Sequence, residues 1–96
     1  MLQRKHRLVM TLAFVLLNCS IIDKMNVVRA LRETDGVLDV FATSGIYDII
    51  LKVRAESEEK LHELVMTKIR IIEGITSSIT MVAHSLEPTN TGSLTG

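Results

Sequence analysis

The chain has 96 residues, enough for one domain, and its 11 basic and 11 acidic side chains leave a formal charge of zero. Hydrophobic residues reach 47% but aromatics only 3%: Phe14, Phe41 and Tyr47, with no Trp. That hydrophobicity excludes a disordered chain, the absence of a basic excess or stacking aromatics argues against nucleic-acid binding, and a lone Cys19 excludes a disulfide scaffold.

Arg4, Lys5 and Arg7 precede an uncharged run from Leu8 to Ile22 that superficially resembles a signal peptide. The run contains Thr11, Asn18 and Ser20 and falls short of the roughly 20 apolar residues of a membrane-spanning helix. It has no small-residue cleavage site after the apolar stretch, and Asn18 is a poor residue ahead of a lipoprotein-type Cys. A continuous apolar run of this kind reads instead as a buried central strand, Leu8 to Leu17. Asp23 is then expected to cap a helix reaching about Thr34, with Val27, Val28 and Leu31 on one face and Asp35-Gly36 ending it.

Val37 to Thr43 reads as a second strand. Ser44-Gly45-Ile46 reads as a tight connection, in which Gly45 supplies a positive φ. Tyr47 to Ala55 is a third strand, with Tyr47, Ile49, Leu51 and Val53 on one face and Asp48, Ile50, Lys52 and Arg54 on the other. Ser57 caps a second helix whose first turn holds Glu58 and Glu59 and whose far end holds Lys68 and Arg70, the charge order that the helix dipole favours. Its apolar stripe is Leu61, Leu64, Val65, Ile69 and Ile72, and Gly74 closes it. The last strand, Ile75 to Ala83, sets Ile75, Ser77, Ile79 and Met81 against Thr76, Ser78 and Thr80. The expected division is a basic arm over residues 1–7, one domain over 8–84, and a disordered tail over 85–96 that lacks apolar periodicity.

The order β-α-β-β-α-β predicts an α+β fold, the ferredoxin-like plait: a four-stranded antiparallel sheet with two helices on one face. Both faces of the first strand are apolar, Leu12, Phe14 and Leu16 alternating with Ala13, Val15 and Leu17. One set packs on the helices. The other would stay in water at a cost of about 1.5–3 kcal/mol for each large side chain, so the pattern predicts dimerisation through the sheet.

The residues supply little catalytic chemistry. His6, His62 and His84 lack metal-ligand spacing and read as solvated or edge residues, and Cys19 reads as a small buried or half-buried residue at a strand end. There is no Gly-rich phosphate loop, no G-x-S-x-G and no catalytic carboxylate pair, while Glu56, Glu58, Glu59 and Glu63 read as a solvated helix start. The expectation is therefore no enzyme, no catalytic residue, no cofactor and no metal. Two features stand out. Ser44-Gly45-Ile46-Tyr47-Asp48 is either an ordinary hairpin or a loop whose backbone holds a polar ligand while Asp48 pairs with an ammonium group. Thr76, Ser78 and Thr80 form a hydroxyl row that is otherwise half-exposed strand surface.

At Gly45-Ile46-Tyr47-Asp48-Ile49-Ile50, Ser57-Glu58-Glu59-Lys60-Leu61, Thr67 to Ile75 and Ser77-Ser78-Ile79-Thr80-Met81 the sequence resembles the effector-binding (RAM) domain of the Lrp/AsnC family of feast-famine regulators. With the strand-helix opening, the resemblance spans about residues 8–84. It implies the same plait, dimers formed through the sheets, and octamers or other rings of dimers. It further implies an amino-acid effector bound between dimers by Gly45, Tyr47 and Asp48 of one subunit and Ser78 and Thr80 of another. Ser78 stands where relatives often have Thr, which keeps the hydroxyl. Roughly seven residues precede the first strand, so the chain is similar to the stand-alone form without a helix-turn-helix domain. The resulting expectation is a cytoplasmic sensing and oligomerisation module, without direct nucleic-acid or membrane contact, that modulates transcription through full-length Lrp/AsnC-type regulators. The alternatives are a structural oligomerisation module with no ligand, a small dimeric plait enzyme, or an exported or lipid-anchored protein.

Overall fold

The computed structural model describes residues 10–84. The basic arm with His6, the first two residues of the expected opening strand and the expected tail lie outside them. Seven elements follow in order: β1 (Thr11–Cys19), α1 (Lys24–Arg32), β2 (Val37–Ala42), β3 (Ile49–Ala55), α2 (Glu58–Leu64) continued by a π-helical stretch (Val65–Ile69), and β4 (Ile75–Ala83). The four strands form one antiparallel sheet in the order β2-β3-β1-β4, the ferredoxin-like arrangement expected from the sequence.

Strand periodicity explains the layering. Ala13, Val15 and Leu17 of β1 and Ile49, Leu51 and Val53 of β3 are all fully buried, and they face Val27 and Leu31 of α1 and Leu61, Val65 and Ile69 of the second helix. The opposite face of β1 presents Leu12, Phe14 and Leu16, only half-buried within one chain. Antiparallel partners share a face, so Ile50 of β3, Ile79 and Met81 of β4 and Phe41 of β2 extend this apolar surface. Phe41 is 55% exposed, Met81 51% and Ile79 46%.

Several local expectations shift. β1 runs on to Cys19 because Asn18 and Cys19 still pair with Ser77 and Ile75. That pairing contains a register shift between Asn18 and Cys19, so Ile75 shares the face of Cys19 and packs on the core, opposite to Ile79 and Met81. The sequence alternation places all three together, and the bulge reverses Ile75. Asp23 sits just before α1 but its backbone is already helical (φ −93°, ψ −1°), so its carboxylate cannot fold back onto the first turn; it accepts from Ser20 Oγ at 2.6 Å instead. Ser57 does cap α2, with extended backbone and its hydroxyl accepting from Lys60 N–H at 3.1 Å. In the π-helical stretch Arg70 N–H donates to the Val65 carbonyl at 2.8 Å, five residues back, and Leu61, Val65 and Ile69 stay on the buried side. Gly36 and Gly74 end the two helices at φ 96° and 103°.

Candidate functional site

The connection from β2 to β3 is a six-residue loop, Thr43 to Asp48, longer than the three-residue turn expected. Its frame is Thr43. The Thr43 N–H donates to the Asp48 carbonyl (2.8 Å), the Thr43 hydroxyl donates to the Tyr47 carbonyl (2.7 Å), and the Gly45 N–H donates to that same hydroxyl oxygen (2.9 Å). These bonds draw Tyr47 and Asp48 out of β3, which starts at Ile49. Gly45 does not have a positive φ; its role as a φ-permissive turn residue is not what the loop uses. Gly45 and Ile46 are exposed, Ile46 to 87%, while Tyr47 and Asp48 are half-buried.

Asp48 is held from β1. Its N–H donates both to the Leu17 carbonyl (2.9 Å) and to Asn18 Oδ1 (3.1 Å). Its carboxylate Oδ2 accepts the Cys19 N–H at 3.0 Å, one step beyond Leu17 and Ile49, the last pair of the β1–β3 ladder. The carboxylate thus replaces a missing ladder acceptor and is fixed in place by it. Lys24 of α1 reaches the Thr43 carbonyl (3.4 Å) and braces the far side of the loop.

Ser78 and Thr80 lie on β4, opposite Leu17 and Val15, so within one chain β1 separates them from Asp48 by two strand spacings, about 10 Å. Gly45, Tyr47 and Asp48 are therefore brought together on one loop, and Ser78 and Thr80 on one strand, with no direct contact between the two groups in the single chain. Ser78 is half-buried and Thr80 exposed. Thr76 falls in the bulge rather than in a regular hydroxyl row.

Sequence reasoning missed the supports: Asn18, Thr43, Lys24 and the Cys19 backbone. In the sequence Asn18 is only an interruption of an apolar run. A single amide amid so many aliphatic neighbours was the available signal. It missed also an open groove of about 710 Å³ between α1 and the end of β2, lined by Ile21, Met25, Val28 and Ala42 with Lys24 and Arg29 at its rim.

Cys19 is buried, and burial first, the Asp48 carboxylate second, push its thiol above the ordinary range, with Lys24 pulling the other way and Asp23 adding to the rise. The unfolded thiol ionises at lower pH than the folded one, so this group's stabilising contribution is complete below the unfolded value of about 8.5 and declines as pH rises through it. Urea unfolding at a series of pH values should show stability falling above about pH 8.5, and the fall should be shallower in Cys19→Ala. His62 and His84 are exposed, and His84 Nε2 lies 3.7 Å from Glu58 Oε2. Among the described residues no group of three His, Cys, Asp or Glu is placed to hold a metal ion, and no helix is long and apolar enough to cross a membrane.

Residues 12–88 match the Lrp/AsnC ligand binding domain. The chain belongs to the Lrp/AsnC family. An uncharacterised HTH-type transcriptional regulator of Pyrococcus furiosus is 36% identical over 76 residues, which cover 76% of this chain and 51% of that protein. The chain thus spans about half the length of the curated Pyrococcus relatives it matches. Among solved structures, AsnC of Escherichia coli superposes with a TM-score of 0.77 at 25% identity, covering 92% of this chain and 59% of that one. A transcriptional regulator of Neisseria meningitidis, solved as a complex with L-Met, shares the fold with a TM-score of 0.75 at 15% identity over 88% of this chain and 56% of its own. The plait is therefore that of an Lrp/AsnC ligand-binding domain, related to transcriptional regulators.

Proposed function

We propose that this Lrp/AsnC domain is a non-enzymatic amino-acid sensor and assembly module, acting in the cytoplasm on transcription through full-length regulators and without touching DNA itself. The observation that carries the reading is the fixed carboxylate. Asp48 Oδ2 is anchored by the Cys19 N–H, no protein donor meets Oδ1 among the described residues, and the loop beside it is open at Gly45. An anchored carboxylate with a free oxygen is suited to an ammonium group, and the neighbouring Gly45 backbone can approach a ligand without a side chain in the way. The ligand then completes its contacts on Ser78 and Thr80 of a neighbouring dimer. Ile21 and Ile22, each 90% exposed, and Ile46 lie at this end of the molecule and supply apolar surface for such a neighbour. Ligand binding biases assembly only through unequal affinity for the assembled and separated states.

The test is calorimetric titration with each of the proteinogenic amino acids. At least one should bind, Asp48→Ala should weaken it by about tenfold or more, and Asp48→Asn should do so while still accepting the Cys19 N–H and so keeping stability. Asp48→Ala should in addition lose about 1–2 kcal/mol of stability in urea unfolding by orphaning that N–H. Absence of binding by every amino acid defeats the sensing reading. The anchoring role of Asp48 favours one alternative in that case: a structural module whose oligomers ignore ligands.

A further inference from the structure

The loop and β4 are separated by β1, yet one side chain joins them. Asn18 Oδ1 accepts the Asp48 N–H at 3.1 Å, and Asn18 Nδ2 donates to Ser77 Oγ at 3.3 Å, across sequence separations of 30 and 59 residues. The backbone N–H of Asp48 can only donate, which fixes the oxygen of the amide toward β3 and its nitrogen toward β4. Asn18 and Ser77 are also the last pair before the register shift that begins at Cys19. Strand pairing is interrupted at such a bulge, so the side-chain bond holds β1 to β4 where the backbone ladder loses its regular spacing.

We infer that Asn18 is a positioning residue that couples the Asp48 loop to β4. This rests on the reading of that loop as a ligand site. Three consecutive residues of β1 grip Asp48: Leu17 and Asn18 its N–H, Cys19 its carboxylate. A ligand that draws on the carboxylate shifts the group that Asn18 Oδ1 binds. The planar amide turns as a unit, so Nδ2 carries the change to Ser77, the neighbour of the site hydroxyl Ser78. A ligand arriving on one dimer thereby alters the strand that serves the neighbouring site, which gives the assembly a route for cooperativity within each chain. Leu or Ala at this position would leave the sheet paired but supply neither bond.

Residue-resolved amide hydrogen exchange on the intact chain decides the matter in the absence of ligand. Ser77→Ala, two strands away from the loop, should speed exchange of the Asp48 amide by about threefold or more, and Asn18→Leu by at least as much. Thr76→Ala, beside Ser77 but without a bond to Asn18, should leave it unchanged. An Asp48 amide indifferent to Ser77→Ala overturns the coupling, and this variant decides even where Asn18→Leu fails to fold. A second arm titrates each proteinogenic amino acid into labelled protein. Wild type should show shifts at the Ser77 amide that Asn18→Leu removes, while the Ser78 amide, which the ligand itself contacts, still shifts. Ser77 shifts that persist unaltered in Asn18→Leu count against the coupling. If no amino acid shifts any resonance of wild type, the sensing reading fails, and the ligand-free exchange still decides the role of Asn18.

Discussion

Phe14→Asp is expected to turn the assembled protein into monomers, read by light scattering as a fall to the single-chain mass. Phe14 lies at the middle of the open sheet face, between Lys52 of β3 and Met81 of β4, flanked along β1 by Leu12 and Leu16. With Ile79, Met81 and Phe41 this face leaves more large apolar side chains in water than a monomer of this size can readily carry. Burying each one against a partner is worth about 1.5–3 kcal/mol, so a two-fold packing of these faces has a large driving force. A carboxylate at its centre, which must be desolvated together with the neighbouring Lys52, reverses that by several kcal/mol. The same substitution should leave the chain folded by circular dichroism, because Phe14 faces away from the core of Val15, Leu51 and Leu31. Asn26→Asp, on the exposed side of α1, is the control and should not change the mass. An unchanged mass for Phe14→Asp would place the assembly contacts elsewhere.

Gly74→Ala should destabilise the protein by about 2–5 kcal/mol in urea unfolding, whereas Gly45→Ala should change it by less than about 0.5 kcal/mol. Gly74 has φ 103°, and a Cβ there would stand 2.5 Å from Asp23 Cβ. Asp23 cannot readily yield, because its carboxylate is bonded to Ser20 Oγ and the Ser20 N–H in turn donates to the Gly74 carbonyl. Backbone strain and collision therefore add at one position. Gly45 has neither problem, its nearest neighbour for a Cβ being Thr43 Oγ1 at 3.6 Å. That contrast makes Gly45→Ala a clean probe of function: the variant folds normally, and any loss of amino-acid binding reports the space that its methyl group takes from the ligand.

How much of this was legible in the sequence depends on the range of the interaction. The continuous apolar run of β1, the period-2 pattern of β3 and the stripe Leu61, Val65 and Ile69 identified the plait, because burial of consecutive, alternate or helically spaced residues is a local property. Ser57, Gly36 and Gly74 were equally readable, since each acts on the turn beside it. Ile75 was misplaced because a bulge depends on how two strands meet, and nothing in Ile75 to Ala83 alone announces it. The tight turn expected at Ser44-Gly45-Ile46 failed for a related reason: Thr43 closes a wider loop through its hydroxyl, and Gly45 is left open without a left-handed backbone. The candidate site divided the same way. Gly45, Tyr47 and Asp48 formed a visible motif, but the residues that fix Asp48 come from β1, thirty positions away, and only the folded sheet brings them together.

The most direct measurement is a crystal structure of the chain with an amino acid that binds it in calorimetry. The ligand should lie between neighbouring dimers, its ammonium on Asp48 and beside Gly45 and Tyr47 of one subunit, its remaining polar groups on Ser78 and Thr80 of another. A ligand seated elsewhere, such as the groove between α1 and β2, or an assembly in which Asp48 remains far from every Ser78 and Thr80, would contradict the account.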